Sequence, residues 1–275
     1  MGEQQSANGL TARLEELAVG LADPDCDIDA LAELEEELLA AREPELIPRL
    51  EEHLVAAVEA RNWYARHVLA GILAETAGRS SLPVLLRAFC RDLGDDQDSL
   101  STTLYVFAQE DPVAARGILV PWADDPDQDL RRAAIWLLGF VPDPVDLALL
   151  TRAAHAPDER IRTATVGTLG SHGANPAAVD LLMSLLDDPS TQVRVSALSS
   201  LGFLKQHRTL PKIRRLADDS TPLVRAWVAI ALGRFPASER SESATARVLD
   251  RLALDPDPYV RESADNARRL TPGRG

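Results

Sequence analysis

The sequence is poor in aromatic side chains, at 4% of its 275 residues. It holds two cysteines and almost no lysine: Lys205 and Lys212 stand alone among 29 cationic residues, and the rest are arginine. Each scarcity excludes something. Two cysteines far apart, Cys26 and Cys90, do not make a disulfide framework, and separated thiols fit a reducing cytoplasm. No apolar run approaches the ~20 residues that span a bilayer, and MGEQQSANGL lacks the basic start and apolar core of a secretory signal, so no membrane association is expected. Few aromatics and few β-branched runs argue against sheets and for helices packed through small residues. The arginine bias itself carries no functional weight.

Catalytic and metal motifs are also missing. The five histidines, His53, His67, His155, His172 and His207, form no HExxH and no Cys/His cluster of zinc spacing. No GxSxG, Walker or GxGxxG pattern occurs. A Ser–His–Asp site could assemble in space, but nothing in the sequence asks for one. DPDCDID (23–29) has acids at alternate positions, yet Ile28 and Leu34 stand where a calcium loop needs Gly and Glu, so it reads as helix capping. No catalytic residue, no metal and no cofactor is predicted.

What is present is charge polarity and repetition. Residues 1–60 carry sixteen acids against three bases, so −13 of the net −14 lies there. Glu33, Glu36, Glu37, Glu51 and Glu52 make the expected acidic steering surface. It favours a basic partner and opposes nucleic acid, although a solvated helical face would look the same.

Cut at its acidic turns, the chain aligns with itself without gaps. The segments are DDPDQDLRRAAIWLLG (124–139), HAPDERIRTATVGTLG (155–170), DDPSTQVRVSALSSLG (187–202) and DDSTPLVRAWVAIALG (218–233), with LDPDPYVRESADNARR (254–269) as a fifth. Arg131, Arg162, Arg194, Arg225 and Arg261 fall in register. The residue before each is apolar, and further apolar or small residues follow at i+4 and i+8, which is one face of a helix. The glycines closing the first four segments can ease close packing or help end the helix. Another apolar helical stretch precedes each segment, for example AAVDLLMSLL (177–186), so one unit is helix, acidic turn, helix. Some 31 residues cannot bury their own faces and must stack. About eight pairs are predicted. Residues 1–9 and the tail 271–275 are expected to be disordered, 10–80 to hold divergent acidic capping repeats, and 81–270 to hold the array, with SERSES (238–243) as an inserted loop.

The pattern DDP-x4-VR-x2-A-x3-LG of residues 187–202 resembles the HEAT-repeat superfamily, especially the short bacterial PBS-lyase or E-Z-type HEAT-like repeats. The resemblance covers residues 82–270 well and 10–80 weakly. It implies an all-α, right-handed α-solenoid of antiparallel helix pairs. Members mostly act as binding scaffolds; a few relatives attach or remove bilin pigments, and distant HEAT-like proteins excise alkylated bases.

The aligned arginines read as a structural ladder rather than a phosphate-binding row. An Asp sits six residues before the arginine position at Asp95, Asp125, Asp188, Asp219 and Asp255, with Ala156 as the exception. Such Asp and Arg residues can pair within or between repeats. The positions one and five after each arginine point off the core stripe, towards a groove if the second helices line the concave side. With the residue that follows each stripe they include Arg132, Trp136 and Phe140; Thr163, Gly167 and Ser171; Val195, Ser199 and Phe203; and Ala226, Ile230 and Arg234, with Trp227 alongside. Aromatics and arginine there suggest a binding surface, although each could instead pack against the next repeat. Trp63 and Trp122 are expected in the inter-helix core.

The resulting expectation is a non-catalytic interaction scaffold or adaptor that holds a protein or peptide, a basic one preferred, and that is monomeric rather than oligomeric. Two alternatives stay open: an inhibitor or immunity protein neutralising a basic toxin or nuclease, and a lyase-like enzyme acting on a pigment or another small molecule.

Overall fold

The computed structural model describes residues 2–23, 27–92 and 97–269. Cys26, Asp95 and the tail 271–275 lie outside the described residues. The structure is all-helical, with no strand among the described residues. Its fold is of the all-α repeat-solenoid class, built from consecutive helix pairs joined by short turns. No described helix is long and apolar enough to cross a membrane.

The chain divides into two compact units, Met1–Val141 and Pro142–Gly275. In the first unit α1 (Gly2–Ala22) pairs with α2 (Ile28–Ala41), α3 (Ile47–Glu59) with α4 (Trp63–Ala77), α5 (Leu82–Phe89) with α6 (Asp98–Glu110), and α7 (Pro112–Trp122) with α8 (Gln128–Leu138). Helix α1 begins upstream of the predicted start at Leu10. In the second unit α9 (Leu147–Ala153) pairs with α10 (Glu159–Ser171), α11 (Pro176–Ser184) with α12 (Thr191–Leu204), and α13 (Leu210–Arg215) with α14 (Pro222–Gly233). The short α15 (Ala237–Arg240) overlaps the SERSES stretch, and α16 (Ser243–Leu252) with α17 (Pro258–Arg269) closes the unit.

The helices start where short polar side chains take up orphan backbone donors. The Asp27 carboxylate accepts from the amides of Asp29 and Ala30 and caps α2. Asn62 caps α4 through the Ala65 amide, 2.9 Å away, and its Nδ2 donates to the Leu21 carbonyl at 2.8 Å, tying the second pair to the end of α1. Asp127 caps α8 and Asp158 caps α10 in the same way.

The apolar stripes supply the packing. Leu14, Leu17 and Leu21 of α1 and Leu31, Leu34 and Leu38 of α2 are buried. So are the aligned triplets Val193, Ala197 and Leu201 of α12 and Val224, Val228 and Leu232 of α14. Each fully buried leucine contributes about 2 kcal/mol of transfer free energy. Small residues set the spacing between second helices: a Cβ on Gly202 would come within 3.0 Å of the Ala231 Cα. Gly202 therefore serves the approach of α12 to α14 and does not end its helix, which runs on to Leu204.

Candidate functional site

The arginines are occupied by the scaffold, in a way that follows from the turn sequence. In three of the aligned turns of the second unit an Asp bends the chain by accepting an amide two residues on: Asp188 from Ser190 at 2.8 Å, Asp219 from Thr221 at 2.8 Å and Asp255 from Asp257 at 2.9 Å. In these turns, and equally in the turn of Ala156 that lacks the Asp, two carbonyls of the loop face the arginine that follows. Arg162 Nη1 donates to the carbonyls of Ala156 and Pro157, both at 2.9 Å, and Arg194 and Arg225 repeat the pattern in their own turns.

The rest of each guanidinium reaches forward one repeat. Arg162 donates Nε and Nη2 to the two carboxylate oxygens of Asp188 at 2.8 and 2.9 Å, and Arg225 does the same to Asp255 at 2.7 and 2.9 Å. Arg194 Nε lies 3.0 Å from Asp219 Oδ2, and its Nη2 donates to Oδ1 at 3.1 Å. The hydrogen bond from Arg225 holds the Asp255 carboxyl below the usual carboxylate range, against the opposing effect of burial. Among the described residues Arg261 keeps the pair of bonds to its own turn, to the carbonyls of Asp255 and Pro256.

In the first unit Asp125 accepts from the Asp127 amide at 2.8 Å, and the buried Nε of Arg131 has no partner among the described residues.

The residues assigned to the groove separate into three groups. Val195 and Ala226, the positions after the arginine in α12 and α14, are buried. That corrects Val195 as an expected contact residue. Arg132, Thr163, Ser199, Trp227, Ile230 and Arg234 are half-buried, while Gly167, Ser171 and Phe203 are exposed and Phe140 just reaches exposure.

In the first unit Trp136 and Phe140 belong to an aromatic chain. Trp136 stacks on Phe89 with centroids 4.9 Å apart, Phe140 meets Trp136 edge-on at 5.2 Å, and Tyr105 meets Phe140 edge-on at 5.1 Å. Gln109 Nε2 donates to the Phe140 carbonyl and fixes the end of that strip. The sequence reading missed Phe89 and Tyr105. Phe89 lies on a first helix, and Tyr105 sits one position before the groove register; the signal that could have found them is the scarcity of aromatics itself.

In the second unit the Arg234 guanidinium lies over the Phe203 ring, 3.9 Å from its centroid, and 5.7 Å from that of Trp227. Its Nη1 donates to the carbonyl and hydroxyl of Ser199 at 3.2 and 3.3 Å. Burial pulls the Arg234 pKa down, a desolvation that strengthens a cation–π contact. Phe203 is 67% exposed, so most of its surface stays open beside a fixed cation.

Of the acidic surface, Glu33, Glu36, Glu37 and Glu52 are exposed and Glu51 is half-buried. Glu37 lies 3.4 Å from Arg13. Glu51 and Glu52 rim an open cavity of about 890 Å³ whose wall includes Val55, Val84 and the buried Cys90. Burial pushes the Cys90 thiol up to about 11, which makes it an inert packing residue and not a nucleophile. Trp122 is half-buried beneath the Arg87 guanidinium at 4.9 Å. Trp63 is 51% exposed, which corrects its expected place in the core: its position opens α4, next to the Asn62 cap. No three metal-ligating side chains cluster among the described residues.

The comparisons with known proteins agree with this architecture. No curated protein matches the chain. Among solved structures, the Escherichia coli protein YibA is similar at 17% identity, with 93% of this chain and 92% of that chain covered and a TM-score of 0.52. A computationally designed armadillo repeat protein is similar at 17% identity over 81% of this chain and all of its own, with a TM-score of 0.50. Human deoxyhypusine hydroxylase aligns at 18% identity over 97% of this chain and 98% of its own, with a TM-score of 0.41. The description "HEAT repeats" matches residues 118–202 and 179–267, together more than half of the sequence. With the helix pairs and the repeated turn that it shares with that family, the chain belongs to the HEAT repeats.

Proposed function

We propose that the chain is a non-catalytic binding protein that holds a peptide or protein segment on the face presented by its second helices. The observation that carries this reading is the open Phe203 ring beside the fixed Arg234 guanidinium, with Trp227 close by. A large ring held next to a partly desolvated cation is the composition of an interface hot spot, because a partner gains area and a hydrogen-bonding fork with little ordering cost. The strip of Tyr105, Phe140 and Trp136 is a second contact surface of the same kind within the first unit. Arg162, Arg194 and Arg225 do not contribute, since their donors are already used. A related fold serves modular peptide recognition in the designed armadillo protein. The acidic residues of α2 and α3 favour a basic segment and speed its encounter.

The test is selection from a displayed peptide library, followed by titration of the enriched peptides. Phe203→Ala and the double substitution Tyr105→Ala with Phe140→Ala should each weaken binding more than tenfold while the helical circular dichroism is unchanged. Peptides that bind both variants as tightly as the parent would overturn the assignment of this face.

A further inference from the structure

The first unit holds a cavity that neither the ladder nor the aromatic strip uses. Glu35 of α2, Trp63, Tyr64 and His67 of α4, and Gln97 and Ser99 at the start of α6 line a half-open space of about 380 Å³. Glu35 is half-buried, and no hydrogen bond or ion pair within the described residues engages its carboxylate. Burial, the largest influence, raises its pKa; His67 works the other way and Glu36 adds to the rise. A carboxylate kept partly out of water is costly unless charges or hydrogen bonds complete it, and here the charge of His67 offsets burial only in part.

The walls are suited to one kind of complement. Trp63 is among the most exposed aromatic side chains of a chain with few aromatics, and Tyr64 meets it edge-on at 5.8 Å and 71°. The cation nearest by position, Arg66, is buried and donates to the carbonyls of Ala88 and Arg91 at 3.5 and 2.9 Å, so these bonds hold its guanidinium in the helix packing. His67 Nδ1 lies 3.2 Å from Ser99 Oγ. The wall is open at the exposed Gly71, where a Cβ would meet nothing within 4 Å. One carboxylate and one imidazole are too few donors for a hard divalent metal, which takes six or more oxygens. An anion would meet the Glu35 charge.

We infer that this cavity binds a monovalent organic cation, an alkylammonium or guanidinium group, with Glu35 as its counter-ion and the rings of Trp63 and Tyr64 as its walls. A carboxylate beside an aromatic face attracts such a group twice, through its charge and through the ring quadrupole. The same chemistry is carried by a lysine or arginine of a protein partner and by a free small amine. The site is formed by α2, α4 and α6, so it stands independently of the Phe203 and Arg234 surface.

The test follows the Trp63 indole N–H by nuclear magnetic resonance on the full chain. The probes are tetramethylammonium chloride, its neutral isostere neopentyl alcohol, and a glycine–serine peptide carrying one lysine. The cation should shift the Trp63 signal saturably and the alcohol should not. Glu35→Gln should weaken cation binding at least tenfold. Gly71→Leu should weaken it at least tenfold by narrowing the open wall, in a variant whose melting temperature does not fall because the new side chain enters open space on a helix. A lysine peptide bound tenfold more tightly than tetramethylammonium assigns the site to a partner chain, and equal affinities assign it to a free cation. Equal binding of alcohol and cation, or an affinity within twofold in Glu35→Gln, overturns the inference.

Discussion

Arg162 and Asp188 form a two-pronged ion pair across one repeat, Nε to Oδ2 at 2.8 Å and Nη2 to Oδ1 at 2.9 Å, with both side chains largely buried. The same Asp188 oxygen that takes Nη2 also accepts the Ser190 amide that shapes the next turn. The pair therefore joins the fold of one turn to the position of the helix before it. Arg162→Ala should lower stability by about 3 kcal/mol, since it strands a buried carboxylate and frees two loop carbonyls. Arg42→Ala, which removes an exposed ion pair with Glu75, should cost no more than about 0.5 kcal/mol. Urea titration of both variants checks the contrast, and equal losses would mean that the ladder is not a source of stability.

The last complete rung gives the acid sensitivity a direction. Asp255 titrates below an unfolded aspartate because Arg225 bonds its charged form. Its stabilisation is thus fully present above the unfolded value of about 3.9 and is lost as the pH falls through that value towards the folded one. Arg225→Gln removes the largest cause of the shift and leaves the Asp257 amide and the Arg261 charge. Urea midpoints taken between pH 5 and pH 2.5 should fall less steeply in Arg225→Gln than in the parent chain, with the difference confined to that window.

The helix pairs and the arginine register were legible because both depend on local chemistry. An apolar residue, its i+4 and i+8 partners and an Asp–Pro turn are all contained in sixteen consecutive residues such as 187–202. Which aromatic meets which was not legible. Phe89, Tyr105 and Trp136 come from three helices and Phe140 from the turn after α8, and their stacking depends on how α5, α6 and α8 are spaced. Val195 shows the opposite failure. Its position in the repeat matches that of the half-buried Arg132, but with a small apolar side chain it sinks into the packing where the longer arginine reaches out. Helical periodicity gives a direction for each side chain, whereas exposure also depends on its length and on the neighbouring repeat.

Two glycines separate packing from conformation. Gly202 has the Ala231 backbone 3.0 Å from where its Cβ would stand, so Gly202→Ala must push α12 from α14 and should cost about 1–3 kcal/mol. Gly167, in the interior of α10, faces open space. Gly167→Ala should therefore raise stability by about 0.5–1 kcal/mol, the helix preference of alanine over glycine. Thermal melts of the two single variants should move in opposite directions.

Phe203 and Arg234 allow binding to be separated from folding. Phe203 is mostly exposed, so Phe203→Ala forfeits a cation–π contact and little burial, and should change stability by less than about 1 kcal/mol. Arg234 is more deeply set and holds the Ser199 carbonyl as well as both rings. Arg234→Lys keeps the charge but loses the planar stack and the fixed fork. If the pair is a contact surface, Phe203→Ala and Arg234→Lys should both weaken a selected peptide by more than tenfold, and the double variant should weaken it by less than the product of the two, since each residue positions the other. Additive losses measured by isothermal titration would mean that the two act separately, and an unchanged affinity in both would move the binding surface elsewhere.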